Sequence, residues 1–128
     1  MNSQVSAALN QYQTTGNSSL YYASPHQLIL RLLNGAMDRI AQAKGAMKQG
    51  NARQKGEMIS KAIGIVNGLN GCLDHSQEGD LSQNLAALYD YINLALLQAN
   101  VENNVSRLDE ASRLLQEIRA GWLQIAGE

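Results

Sequence analysis

Residues 24–48 read SPHQLILRLLNGAMDRIAQAKGAMK, and their first four positions decide how the chain is organised. Ser24 is a capping residue, and Pro25 suits the first helical position, where a missing N–H costs nothing. Gln27 stands three residues after the cap, so together they specify a helix start. Beyond it Leu28, Leu32, Leu33, Ala36, Met37, Ile40, Ala43 and Met47 recur at three- and four-residue steps. This puts one apolar stripe opposite Arg31, Asn34, Asp38 and Lys48. Gly50 ends the helix and Asn51 caps the next, whose stripe runs Met58, Ile59, Ala62, Ile65, Val66, Leu69, Cys72 and Leu73 before a break at 74–79.

Asp80 or Ser82 caps a third helix with a different pattern. Its apolar positions (Leu81, Leu85, Leu88, Tyr89, Tyr91, Ile92, Leu94, Ala95, Leu96, Leu97 and Ala99) surround most of the circumference, so the sequence predicts apolar surface in excess of what one stripe would bury. A break at 100–104 follows. Helix four then repeats Leu108, Ala111, Leu115, Ile118, Trp122 and Ile125, with Asp109, Arg113 and Glu117 stepping along its outside. One Pro in the whole chain leaves the segments between breaks long, as helices require. Short breaks place consecutive helices antiparallel. The expected fold is all-α, an up-down-up-down four-helix bundle over 24–128 preceded by an amphipathic arm over 1–23. In the arm Val5, Leu9 and Tyr12 form a short apolar stripe, followed by a polar loop at 14–19. An isolated helix of that length is marginal, so the arm either stays disordered or docks on the bundle as a displaceable cover.

Composition excludes several kinds of function. Ten basic against eleven acidic residues give a net charge of -1, which offers no basic field to nucleic acid or an anionic membrane. No apolar run approaches the roughly 18 residues of a spanning helix, and residues 1–13 lack the basic and apolar regions of an export signal. These features predict a cytoplasmic protein that does not insert in membranes. One Cys and two His cannot form a closed structural zinc site. Cys72 and His75 lie three apart, but Cys72 falls on an apolar stripe and His75 beyond the helix end, which reads as a packed thiol beside a loop His. Neither His follows a Glu at the spacing of a di-iron bundle. No catalytic residue, metal ligand or cofactor is expected.

Seven glycines (35, 45, 56, 64, 68, 71 and 121) lie in or near helices, each costing about 1 kcal/mol relative to Ala. Two explanations stand: close helix approach within the monomer, or a shallow groove around Gly64 and Gly68 where a partner lies against the backbone. Tyr89 and Tyr91 are two apart and cannot share a face, so one can serve the core and the other a groove.

The capped Tyr-Ala-Ser-Pro-His-Gln-Leu-Ile start (22–29), Lys61-Ala62, Leu88-Tyr89-Asp90-Tyr91-Ile92, Gln98-Ala99-Asn100 and Trp122 occur in an order that resembles the flagellar secretion chaperone FliS family, from about Leu9 to Ile125. Asn34 stands where the family often has an aromatic residue, and Glu78-Gly79 replaces its glycine pair. The resemblance implies a non-enzymatic cytoplasmic bundle. Such a bundle binds the disordered C-terminal segment of flagellin, prevents premature assembly and presents the subunit to the export gate. It implies that Leu9 and Tyr12 of the arm, and Tyr89, Tyr91 and Asn100 of helix three, belong to the binding region. Surplus apolar positions Ile63, Leu94 and Leu97 are the expected receivers of client anchors, and an anti-sigma factor is a compatible second partner. The expected state is a monomer or weak dimer. The rival from another class is a homo-oligomeric structural bundle whose surplus face meets a second copy.

Overall fold

The computed structural model describes residues 24–73 and 80–126, so the arm with Leu9 and Tyr12, and the loop with His75, lie outside the described residues. Four helices run in chain order: α1 Pro25–Lys48, α2 Ala52–Gly71, α3 Leu81–Glu102 and α4 Val105–Ala126. There is no strand among the described residues. The expected start of α1 is present in full, with the Ser24 hydroxyl accepting from the Gln27 backbone N–H at 3.1 Å and the Gln27 side chain accepting from the Ser24 N–H. That arrangement satisfies two donors the helix would otherwise leave bare and contributes about 1 kcal/mol. Gly50 turns the chain between α1 and α2 with φ +73, a left-handed conformation that a side chain would strain. Asn51 then caps α2 by accepting from the Gln54 N–H at 3.1 Å.

The helices pack as a closed square, α1 on α2, α2 on α3, α3 on α4 and α4 on α1. Its centre holds Leu32, Leu33, Ile40, Ile59, Val66, Leu69, Ile92, Leu96, Leu108 and Leu115, all essentially without solvent contact. Polar cross-links show how two of the seams run. Along α1 and α4, His26 meets Trp122, Asn34 meets Arg119, and Lys44 meets Asp109, so position rises on one helix as it falls on the other. Along α2 and α3, Lys55 meets Asn100 and Asn67 meets Asn93 in the same opposed sense.

Four expectations are corrected. Helix three continues through Asn100 to Glu102, and the break is only Asn103-Asn104, because the last turn is held from outside by Lys55. Asp80 stands at the start of α3 but makes no side-chain cap bond there, and Ser82 lies inside the helix. Ile125 is exposed, since α4 runs past the end of the core. Close helix approach does not explain Gly45, Gly56, Gly64 or Gly121, because a Cβ built at any of them meets nothing within 4 Å.

Candidate functional site

The outside of α3 is where the bundle departs from ordinary patterning. Tyr89, Ile92, Ala95, Leu96 and Ala99 fill the interior face, in steps of three and four. Leu85 and Leu88 pack partly buried against the core, and the apolar residues left over have nowhere inside to go. Leu94 is 49% exposed, Leu97 52% and Val101 84%, and their spacing of three and four residues lines them along one outer stripe toward the C-terminal end of α3. Leu81 is exposed at the other end of the helix. The surplus read from the sequence is therefore real uncovered surface.

The two tyrosines separate as their spacing requires. Tyr89 is buried, 3% exposed, and belongs to the core rather than to a surface groove. Burial, with a smaller contribution from the neighbouring Cys72, pushes its phenol up to about 12. Tyr91 is 39% exposed and donates to the Glu110 carboxylate at 2.7 Å, while Arg107 donates to the other oxygen of Glu110 at 2.9 Å. The bond from Tyr91 and then that from Arg107 hold the Glu110 carboxyl below its usual range, and Glu110 in turn raises the Tyr91 phenol. This trio pins the edge of the stripe to α4.

On the facing side stands α2. Asn67 accepts from the Asn93 amide at 2.9 Å, and Ile63, half-buried, packs against the core one turn earlier. Gly64 is exposed with open space above it, as a docking backbone would need, but Gly68 is buried and contributes no surface. Asn100 enters through its carbonyl, which accepts from Lys55 Nζ at 3.1 Å. Of the expected site residues the structure places Tyr91, Leu94 and Leu97 on the exposed side of α3, leaves Ile63 half-buried and Gly64 exposed on α2, ties the Asn100 carbonyl to Lys55, and withdraws Tyr89 and Gly68 into the interior.

Lys55 and Val101 were missed by the sequence reading. Val101 fell in an expected break, whereas Lys55 sits four residues before Ile59 and seven before Ala62, so its place on the apolar stripe of α2 was visible in the spacing. It is buried, and its ammonium donates to the Asn100 carbonyl and to Asn103 Oδ1, both at 3.1 Å. A cation there meets the partial negative charge of a helix C-terminus and the carbonyls that the last turn leaves unbonded. Asn103 closes the helix in the left-handed region at φ 52.

Cys72 is half-buried and burial raises its thiol, the opposite of activation. No group of three or more His, Cys, Asp or Glu among the described residues could hold a metal ion. No helix of the described residues is long and apolar enough to cross a membrane.

Fold and surface together define a four-helix bundle with exposed apolar residues along α3 and at the two ends of α4. The family model for flagellar protein FliS matches residues 8–128. The flagellar secretion chaperone FliSB of Pseudomonas aeruginosa is 44% identical over 116 residues, which cover 90% of this chain and 92% of that protein. The flagellar secretion chaperone FliS of Salmonella typhimurium is 42% identical over 115 residues, 89% of this chain and 85% of the relative. That of Vibrio cholerae is 40% identical over 112 residues, 88% and 82%. The chain belongs to the FliS family of flagellar secretion chaperones.

Proposed function

We propose that this protein is an export chaperone for flagellin. It holds the client's disordered C-terminal segment on the outside of α3, prevents premature polymerisation in the cytoplasm and hands the subunit to the flagellar export gate. The observation that carries the reading is the row Leu94, Leu97 and Val101, uncovered on a chain of this family. A filament-forming segment buries its apolar stripe only against neighbouring subunits, so before export it needs substitute neighbours. A helix face with anchors at three- and four-residue spacing is a receiver for an amphipathic segment. Coupled folding and binding of such a segment buries on the order of 1,000–3,000 Å² and gives back several kcal/mol in ordering, which permits release without nucleotide hydrolysis.

The arm, residues 1–23, lies outside the described residues, and its expected role as a displaceable cover is tested by deleting residues 1–15, which should raise apolar-dye binding of the free protein if the arm shields a groove. An anti-sigma factor competing for the α3 face would link export to gene regulation. Calorimetric titration with a flagellin C-terminal peptide tests the function directly, with saturable binding near one to one expected. A chain that forms a tight dimer in concentration-dependent ultracentrifugation and takes up no peptide would instead be a homo-oligomeric structural bundle.

A further inference from the structure

We infer that Leu20-Tyr21-Tyr22, the apolar run shortly before α1 and outside the described residues, is the cover of Leu123 and Ile125 at the end of α4. The inference does not rest on the client reading. It concerns the end of the bundle where α1 starts, opposite to the end that holds Val101, and a segment of the chain itself.

The end of α4 outlasts what its neighbour buries. Trp122 is seated on His26 in the first turn of α1, with its indole N–H on the His26 carbonyl at 2.9 Å. That helix starts only one residue earlier, at Pro25, whereas α4 goes on to Ala126. Successive helix residues turn by about 100°, so Leu123 and Ile125 project to either side of Trp122. Leu123 stands one turn beyond Arg119, which donates to Asn34 on α1 at 2.8 Å, and so lies on the flank of α4 that faces α1. Leu123 is 47% exposed and Ile125 53%.

The connection of the chain decides what reaches this corner. Leu20 is four residues before Ser24, a distance of at most about 14 Å even in extended backbone. From Trp122 to Ile125 the rise along α4 is only about 4.5 Å. The bare pair is therefore within reach of the run wherever the rest of the arm goes. Composition agrees on both sides. Arg31 is the first charged residue of the chain, and Arg119 is the last before Glu128, so the corner carries no Asp, Glu, Lys or Arg that an apolar segment would strip of water. A tyrosine ring covers apolar surface while its hydroxyl stays wet, which suits a half-open site. A tethered segment also loses little translational freedom on docking, whereas a separate molecule loses all of it, and two half-exposed side chains offer too little area to offset that loss.

Trp122, part-buried beside the bare pair and the only tryptophan, reports on the cover. Acrylamide quenching is measured on the full-length wild type and on Leu20→Ser/Tyr21→Ser/Tyr22→Ser, after circular dichroism has matched their helix content. The triple variant should be quenched about twice as readily and emit at longer wavelength. Amides in the last turn of α4 should exchange hydrogen about tenfold faster. Unchanged quenching and exchange overturn the inference. In a Leu123→Ser/Ile125→Ser background the same three substitutions should change neither readout further, and an undiminished effect there overturns the assignment to that pair. If Leu9→Ser/Tyr12→Ser produces the whole effect instead, the outer arm is the occupant, and if quenching of the wild type rises on dilution, a second copy is; either result overturns the proposal. Should the triple variant lose helix content, nuclear Overhauser contacts in the wild type decide: ring protons of Tyr21 or Tyr22 should meet the Leu123 methyl groups, and their absence overturns the cover.

Discussion

Trp122 lies nearly flat on His26, with ring centroids 4.4 Å apart and planes 12° from parallel, and its indole N–H donates to the His26 carbonyl at 2.9 Å. One contact thus ties the first turn of α1 to the last part of α4, some ninety-six residues away in sequence. Besides it, Ile118, Leu28 and Ile29 pack against the core and Arg119 donates to Asn34, so these two ends have few other ties. Trp122→Phe keeps a ring but removes the donor and should cost about 1–2 kcal/mol. Trp122→Ala removes the stack as well and should cost about 3 kcal/mol. Because Trp122 is the single tryptophan, urea denaturation of both variants is followed by far-ultraviolet circular dichroism. No change in midpoint for Trp122→Ala would mean that this end of the bundle is held elsewhere.

The helical glycines make a second, opposite prediction. A Cβ at Gly45, Gly121 or Gly64 meets nothing within 4 Å, so the only large effect of alanine is the gain in helix propensity. Each Gly→Ala change should stabilise the free protein by about 0.5–1 kcal/mol. Gly64→Ala should differ from the other two in function if the proposed client backbone passes over Gly64, raising the melting temperature while weakening client binding. If Gly45→Ala weakens the client equally, Gly64 has no special place in the surface.

Tyr89 gives the bundle a defined alkaline limit. Its phenol titrates at the ordinary 10.0 in the unfolded chain and at about 12 in the fold, because burial favours the neutral form. A raised value on an acid means that its contribution is complete below the unfolded value and is lost as the pH climbs from 10.0 toward about 12. Urea midpoints measured between neutral pH and pH 11 should fall steeply above 10 for the wild type and less steeply for Tyr89→Phe. Parallel curves would show that Tyr89 is not the group responsible.

Much of this molecule was legible from spacing alone. The Ser24-Pro25-His26-Gln27 start, the Asn51 cap and the four apolar stripes depend on local chemistry, and local chemistry is written in neighbouring residues. The excess on α3 was legible for the same reason: Leu94 and Leu97 lie off the stripe that Ile92, Leu96 and Ala99 define. What sequence did not yield were relations across the bundle. Asn100 and Val101 looked like a break because Asn is a poor interior helix residue, whereas Lys55, arriving from α2, and the backbone N–H groups of Asn103 and Asn104 bonded to the Ala99 carbonyl hold the helix as far as Glu102. The glycines were ambiguous because cost per residue says nothing about the space above each one. Tyr89 and Tyr91 could be separated by spacing, but which of them faces inward was fixed only by the packing of α2 and α4.

Leu96 and Leu97 are neighbours with opposite roles, one wholly enclosed and the other half open to solvent. Leu96→Ala should cost about 2–5 kcal/mol of stability through lost contacts and a cavity. Leu97→Ala should stay within about 0.5 kcal/mol of the wild type, as surface substitutions do. Chemical denaturation of the pair separates the core from the candidate site.

The most direct measurement is calorimetric titration of Leu94→Glu/Leu97→Glu with a flagellin C-terminal peptide, alongside the wild type and after circular dichroism has confirmed an unchanged helical fold. Two charges placed on the outer stripe should reduce affinity by at least about a hundredfold, roughly 3 kcal/mol, with stability nearly untouched. Full affinity in a folded double variant would contradict the claim that the exposed face of α3 holds the client.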